Sequence, residues 1–237
     1  MCSKKVQIRN IVGFCLMALF AGVVIGVGAT CFLYATYASE NETLGRVIGG
    51  TLFALGIFAI IAFEMRLFTG MVANIPSMHR NEVWQLPVCF LFNALGVIMT
   101  AALVQFTPLG KTVIPLGATL IEGKLADGLW TVKSLVSGVF CGVLITMSIL
   151  APKYAPQKGF STTLGVMLPI VVFAFCGFDH SVANMFYFYS LGEISWRVVG
   201  YIALTVVGNI LGGTAFPLFV NFKHHTQAIT EKEEHEN

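Results

Sequence analysis

Long apolar stretches separated by short polar ones alternate along the whole chain. Six of them have the about 20 mostly apolar residues that a helix needs to cross a bilayer. Their apolar positions run continuously, without the alternation of a transmembrane β-barrel strand. The pattern predicts an all-α membrane protein with six transmembrane helices, at 11–38, 47–68, 86–107, 131–150, 163–190 and 194–221.

Similar short sequences mark interruptions in the second and fifth stretches. The first reads Phe-Thr-Gly-Met-Val-Ala-Asn over 68–74, and the second reads Phe-Asp-His-Ser-Val-Ala-Asn over 178–184. Their Phe, Val, Ala and Asn coincide at an offset of 110 residues, and Asn-x-Leu-Gly at 93–96 returns at 209–212, an offset of 116. Helices interrupted at corresponding places in two halves indicate a solute site near the bilayer midplane.

An odd number of helices in each half forces the second half to insert upside down, so the sequence predicts two inverted three-helix repeats. The repeats cover about 11–107 and about 131–221, with helices 2 and 5 broken. We expect a single transmembrane channel domain over 1–221, followed by a polar cytoplasmic tail at 222–237.

Composition supports a membrane protein and excludes an ordinary soluble domain. The chain is 56% hydrophobic and only 11% charged, with a mean hydropathy of +0.80, whereas soluble domains are about 25% charged. The net charge of +2 is too small to indicate a nucleic-acid partner.

Lys and Arg set the expected orientation in the cell inner (cytoplasmic) membrane. If both termini are cytoplasmic, the cytoplasmic flanks carry eight basic residues and the outer flanks five. The cytoplasmic set is Lys4, Lys5, Arg9, Arg80, Lys153, Lys158, Lys223 and Lys232; the outer set is Arg46, Lys111, Lys124, Lys133 and Arg197.

Cofactor or metal chemistry is not indicated. The cysteines within the apolar stretches have no CxxC or Cys/His metal spacing, so we interpret them as small packing residues. They are Cys15, Cys31, Cys89, Cys141 and Cys176.

Ionisable and polar groups at the two interruptions are the candidate functional residues, because such groups are costly at membrane depth. His180, beside Asp179, could be a structural histidine that bonds freed backbone groups or a proton donor facing a pore. Thr69 could bond its own helix, or bond a solute or orient His180. Glu64 and Arg66 could close an ion pair across the break, or Arg66 could provide a positive field for anions.

Four segments resemble motifs of the formate/nitrite transporter family, in the same order along the chain. Asp-His-Ser-Val-Ala-Asn-Met at 179–185 is similar to the family's acidic-His-Ser-x-Ala-Asn-Met motif, and Leu-Phe-Thr-Gly at 67–70 to its Leu-Phe-Thr-Gly/Ser loop. Gly-Val-Phe-Cys at 138–141 resembles the start of the fourth-helix signature, and Asn-Ile-Leu-Gly-Gly at 209–213 the sixth-helix motif.

The resemblance implies an aquaporin-like six-helix protomer, five of which form a ring with one pore each. It implies passage of small monovalent anions such as formate, nitrite or hydrosulfide, with no enzymatic activity. Thr69 and His180 would face each other at the pore centre, with Asn184 also in the pore, and Lys124 would draw anions into a vestibule. The implied constrictions are Phe53, Ile57, Leu67, Phe68 and Phe173.

The chain departs from the family pattern at a few positions. Met65 and Arg66 stand where a small residue and an acid usually precede Leu-Phe-Thr. Gly142 replaces an Asn after the fourth-helix Cys, and Thr146 replaces a later Cys. These changes leave the hydrosulfide-channel branch open beside the formate and nitrite branches.

Two other functions compete with an anion channel. An intramembrane hydrolase using Ser181 and His180 is disfavoured, because adjacent helical residues do not face each other and the chain has no Gly-x-Ser-x-Gly elbow. A neutral pore for water or glycerol is the alternative reading. The paired Asn74 and Asn184 favour it, whereas the absence of Asn-Pro-Ala and the central His180 oppose it.

Overall fold

The computed structural model describes residues 4–154, 159–192 and 194–236, which form nine α-helices and two short 3₁₀ helices. The 3₁₀ helices are Val72–Ser77 and Arg80–Glu82. The α-helices are α1 Lys4–Tyr37, α2 Glu42–Ala62, α3 Phe68–Met71, α4 Gln85–Val104, α5 Gly110–Ala126, α6 Trp130–Tyr154, α7 Phe160–Cys176, α8 Ser181–Leu191 and α9 Trp196–Glu236.

The prediction of six transmembrane helices is confirmed. Six helical segments in the described part of the chain are long and apolar enough to cross a membrane, and each matches one predicted stretch. Large apolar side chains on their outer faces are exposed, including Phe20, Leu91 and Val132, as expected where lipid replaces water. The expected tail at 222–237 continues the last helix, because α9 extends to Glu236.

The two halves repeat one packing arrangement. In the first half α1 packs against α2 and α4, and in the second half α6 packs against α7 and α9. Glycines let the backbones touch: a Cβ on Gly96 would lie 2.2 Å from the Leu19 carbonyl oxygen, and one on Gly212 would lie 1.9 Å from that of Val139. Small residues at both helix pairs therefore allow the close backbone packing that holds helices together in a membrane, where the hydrophobic effect contributes little.

The broken helices lie where the two halves meet. Helix α2 packs against α7, while α8 contacts α4 and α5. As predicted, the second segment is broken before Thr69, between α2 and α3, and the fifth is broken at His180, between α7 and α8.

Helix α5 was not predicted from the sequence. Its 17 residues include Pro115 and three glycines, which weaken a helical pattern. It packs on α8 so closely that a Cβ on Gly117 would lie 2.8 Å from the Ser190 hydroxyl oxygen. This helix carries Lys124 to the second break.

Candidate functional site

The two interrupted helices end in the same backbone motif. After α2, the Glu64 N–H donates to the Ile61 carbonyl (3.2 Å) and the Met65 N–H to that of Ile60 (2.9 Å). This pair of bonds is a Schellman motif, which needs a left-handed residue that is usually glycine. Glu64 takes that conformation with φ 52°, so the first break carries backbone strain.

The second break uses glycine at the equivalent place. Gly177, with φ 71°, donates its N–H to the Ala174 carbonyl (3.1 Å), and Phe178 donates to that of Phe173 (3.0 Å). The chain then extends to His180, whose side chain caps α8 by accepting a hydrogen bond from the Ala183 N–H (2.9 Å).

Asn93 of α4 holds the first break through its side-chain amide. Its Oδ1 accepts the Phe68 N–H (2.7 Å), while its Nδ2 donates to the carbonyls of Ala18 (2.7 Å) and Arg66 (2.9 Å). The start of the short helix α3 is therefore tied to both α1 and α4.

Asn209 of α9 makes the same three bonds in the second half. Its Oδ1 accepts the Ser181 N–H (2.9 Å), and its Nδ2 donates to the carbonyls of Gly138 (2.9 Å) and Asp179 (2.9 Å). The match of Asn93 with Asn209 at an offset of 116 therefore reflects equivalent structural positions.

The offset of 110 residues between the two breaks does not reflect equivalent structural positions. The paired hydrogen bonds make Phe68 equivalent to Ser181, and the left-handed residues make Glu64 equivalent to Gly177. Both pairs are 113 positions apart, so the sequence alignment of the breaks was wrong by three residues. Thr69 and His180 are consequently not symmetry equivalents.

Thr69 and His180 meet between the two breaks. The Thr69 hydroxyl oxygen lies 2.9 Å from His180 Nε2, and both side chains are buried, at 1% exposure each. Because His180 Nδ1 accepts the Ala183 N–H, a neutral ring carries its proton on Nε2 and donates it to Thr69. The Thr69 hydroxyl hydrogen then remains available for another acceptor.

Aromatic rings enclose this pair on one side. The Phe173 ring stacks on the His180 imidazole (5.9 Å between centroids, 21°), and the Phe53 ring lies edge-on to it (6.3 Å). Phe53 and Phe173 also make an edge contact with each other (5.6 Å). Two apolar rings therefore lie immediately beside the imidazole.

The other expected constriction residues are buried. Ile57 is fully buried and is one helical turn from both Phe53 and Ile60 on one face of α2. Phe68 packs edge-on against Phe90 (5.0 Å) and lines neither of the cavities described below.

A cavity of ≈ 50 Å³, which we call the Lys124 cavity, opens on the His180 side of these rings. Lys124 Nζ lies 2.6 Å from the Asp179 carboxylate, which also accepts a bond from Asn184 Nδ2 (3.0 Å). Asn184 thus fixes Asp179 while lining the cavity. Arg46, which the sequence analysis did not select, lines it too.

A second cavity of ≈ 250 Å³, which we call the Arg66 cavity, lies at the first break. Its lining includes Leu67, one of the expected constrictions, together with Glu64 and Arg66. The ion pairs among the described residues do not include Glu64 with Arg66. The ion-pair alternative is therefore not seen in the described part of the chain, and the Glu64 carboxylate lines the same cavity as the Arg66 guanidinium.

A family model described as "Formate/nitrite transporter" matches residues 1–223. The chain is 26% identical to the formate channel FocB of Escherichia coli (strain K12), over 75% of this chain and 66% of FocB. It is 23% identical to the nitrite transporter NirC of Escherichia coli (strain K12), over 90% of this chain and 83% of NirC.

Solved structures share the fold. An "FNT family ion channel" superimposes with a TM-score of 0.77 at 19% identity, covering 93% of each chain. A "Pentameric formate channel with formate bound" superimposes with a TM-score of 0.73 at 20% identity, covering 93% of this chain and 98% of that one.

Proposed function

Because the chain belongs to the formate/nitrite transporter family, whose members are channels for small anions and not enzymes, we propose that it passes weak-acid anions across the cytoplasmic membrane. The substrate class is formate, nitrite or hydrosulfide. One observation supports the proposal: the buried Thr69–His180 pair joins the two breaks, and a cavity with a basic side chain in its lining lies at each break, one lined by His180 and the other by Leu67 and Gly70, the neighbours of Phe68 and Thr69.

Charged and apolar side chains have different roles along this path. Arg66 attracts anions into one cavity, and Lys124, whose charge is paired with Asp179, offers its remaining N–H groups to anions in the other. The rings of Phe53 and Phe173 block hydrated ions, because an anion that loses its water there gains no replacement hydrogen bonds. The free hydroxyl hydrogen of Thr69 receives the anion, which then competes with the Thr69 oxygen for the N–H of His180.

His180 acts as the proton donor in this proposal. An anion at Thr69 favours the imidazolium, in which Nδ1 takes a proton and releases the Ala183 N–H. The Nε2–H bond then breaks, the proton bonds to the anion, and the neutral ring is left with its proton on Nδ1. The cap to the Ala183 N–H forms again when Nε2 takes a proton from water in the Lys124 cavity, which His180 lines, and Nδ1 releases its proton to water. The neutral acid crosses the apolar rings at low cost, since it has no charge to desolvate.

Orientation and assembly are part of the proposal. With both termini in the cytoplasm, the Lys124 cavity faces outward and the Arg66 cavity inward, as the excess of Lys and Arg on the cytoplasmic flanks favours. The pentameric assembly named for the formate-bound structure supports a homopentamer with a pore in each protomer. Native mass spectrometry tests the pentamer.

Proteoliposomes test the function directly. Uptake of formate, nitrite, hydrosulfide and chloride is measured at about pH 5.5 and about pH 7.5, on either side of the usual histidine pKa of about 6.5. We expect the three weak-acid anions to pass faster than chloride. Swelling in glycerol without anion uptake would contradict the proposal and identify a neutral pore.

The variant His180→Asn tests proton handling. Asn caps helices well, so its Oδ1 can replace Nδ1 as acceptor for the Ala183 N–H and keep α8 intact. We expect a changed pH dependence of flux and a changed ranking of the anions. If the variant keeps the wild-type pH profile and ranking, the histidine is structural and this mechanism is wrong.

A further inference from the structure

Thr36, near the end of α1, has a buried hydroxyl without a hydrogen-bond partner among the described residues. The residue is 2% exposed and lines the Lys124 cavity. A threonine in a membrane helix ordinarily bonds the carbonyl one turn back, as Thr30 does with Gly26 (2.9 Å). An unpaired buried hydroxyl is unfavourable, so a water or a solute in the cavity is expected to bond it.

The charge of the cavity identifies the kind of partner. Its lining contains Arg46 and Lys124 but no carboxylate. Arg46 donates to Glu42 and to the Phe175 carbonyl (3.2 Å), yet a guanidinium has five N–H groups and keeps others free. The carboxylates that pair with these two cations, Glu42 and Asp179, are outside the lining. The cavity therefore presents hydrogen-bond donors, which suit an occupant that accepts hydrogen bonds, such as a weak-acid anion.

Arg46 and Thr36 are brought together by the turn from α1 into α2. A Cβ on Gly45, the residue before Arg46, would lie 2.8 Å from the Thr36 carbonyl oxygen. The cavity volume of ≈ 50 Å³ is several times the about 10–15 Å³ that one water needs. The cavity that these two residues line therefore has room for more than one water, and a small anion of three heavy atoms is a candidate occupant.

We propose that Thr36 and Arg46 form an oxyanion subsite on the approach to Thr69 and His180. One oxygen of a formate or nitrite ion accepts the Thr36 hydroxyl hydrogen, and the other accepts an N–H of Arg46. A hydrosulfide ion has one acceptor atom and uses the subsite less well. The inference rests on the proposed anion transport and adds a selectivity step to it.

The test compares Thr36→Val, which removes only the hydroxyl, with Thr36→Ser, which keeps it. Thr30→Val is the matched control, because it deletes a hydroxyl that bonds its own helix. Flux in proteoliposomes is measured against concentration for formate, nitrite and hydrosulfide. We expect Thr36→Val to raise the half-saturating concentration of formate and nitrite about tenfold and that of hydrosulfide less than about twofold. The other two variants should behave as wild type.

A second measurement does not depend on transport. Formate should raise the melting temperature of the detergent-solubilised protein by mass action, and it should do so less for Thr36→Val. Without formate this variant should be as stable as wild type or more stable, because it lacks an unpaired polar group.

The possible outcomes distinguish a failure of the Thr36–Arg46 subsite from a failure of the proposed anion transport. If the wild type transports anions and Thr36→Val has the same saturation curves, the subsite is wrong and the proposed function stands. If the wild type transports none of the three anions, the proposed function fails, and the melting experiment decides the subsite alone. A variant that is less stable than wild type but equally stabilised by formate would make Thr36 structural.

Discussion

Asn93 and Asn209 hold the two helix breaks with the same three hydrogen bonds, one accepted from the first turn of a short helix and two donated to carbonyls. Each amide satisfies backbone groups that the interruption leaves without helical partners. The breaks are therefore built into the fold of each half, and α3 and α8 are fixed relative to the long helices around them.

Replacing Asn209 by leucine should destabilise the protein by about 2–4 kcal/mol. The substitution leaves the Ser181 N–H and the Asp179 carbonyl without these partners, whereas the Gly138 carbonyl lies inside α6 and keeps its helical bond. Each buried unpaired group costs about 1–3 kcal/mol. Thermal unfolding in detergent measures the effect. Thr214→Val, in the same helix, is the control, because its hydroxyl only bonds carbonyls of its own helix; equal melting of the two variants would show that the Asn209 bonds contribute little.

Residues 64 and 177 provide a reciprocal pair of stability tests. Glu64→Gly should stabilise the protein by about 1 kcal/mol, since the left-handed conformation costs a side-chain-bearing residue about 1–2 kcal/mol. Gly177→Ala should destabilise it by a similar amount. The new methyl group would be 3.6 Å from an Arg46 nitrogen, an ordinary contact, so the cost comes from φ.

Gly128→Ala is the control for this pair, because Gly128 lies in open space and is not in the left-handed region. Shifts in melting temperature of the same sign for Glu64→Gly and Gly177→Ala would contradict the equivalence of the two motifs.

The sequence predicted the helices and the breaks because both depend on local composition. Continuous apolar runs specify the six spans, and polar residues inside two of them specify the interruptions. The register between the halves could not be obtained in this way. Phe178 resembles Phe68 in sequence, but hydrogen bonding depends on backbone position, which makes Ser181 the equivalent residue.

Long-range pairing accounts for the rest of what the sequence did not predict. Lys124 and Asp179 are brought together by α5, whose glycines and proline obscured it. Arg46 directly precedes the predicted second stretch at 47–68, so in the sequence it resembles an ordinary flanking charge. Its place in the Lys124 cavity depends on how α1, α2 and α7 pack, which no local pattern encodes.

Lys124 and Asp179 should show strong coupling in a double-mutant cycle. Asp179 has only 4% of its side chain exposed, so Lys124→Met leaves a buried carboxylate without its cation and should cost about 2–3 kcal/mol. Adding Asp179→Asn removes that charge and should recover part of the loss. The measurement is melting temperature in detergent for the wild type, both single variants and the double variant.

Lys133→Met serves as the comparison, because the Lys133–Asp127 pair is more exposed and should contribute less than about 1 kcal/mol. Additive effects at Lys124 and Asp179 would mean that their ion pair does not support the second break.

Thr69→Val should lower formate flux about tenfold while keeping the wild-type pH profile. The substitution deletes the hydroxyl that accepts from His180 and that offers its own hydrogen to an anion, and such a bond to a charged group contributes about 1.5–3 kcal/mol. It removes no titratable group, so the dependence of flux on pH should follow His180 as before. Thr51→Val is the control, since the Thr51 hydroxyl donates to the Val47 carbonyl of its own helix (2.8 Å). The measurement is proteoliposome uptake of formate at several pH values. Unchanged flux would place Thr69 off the path. A pH profile like that of His180→Asn would show that the two residues act as one unit.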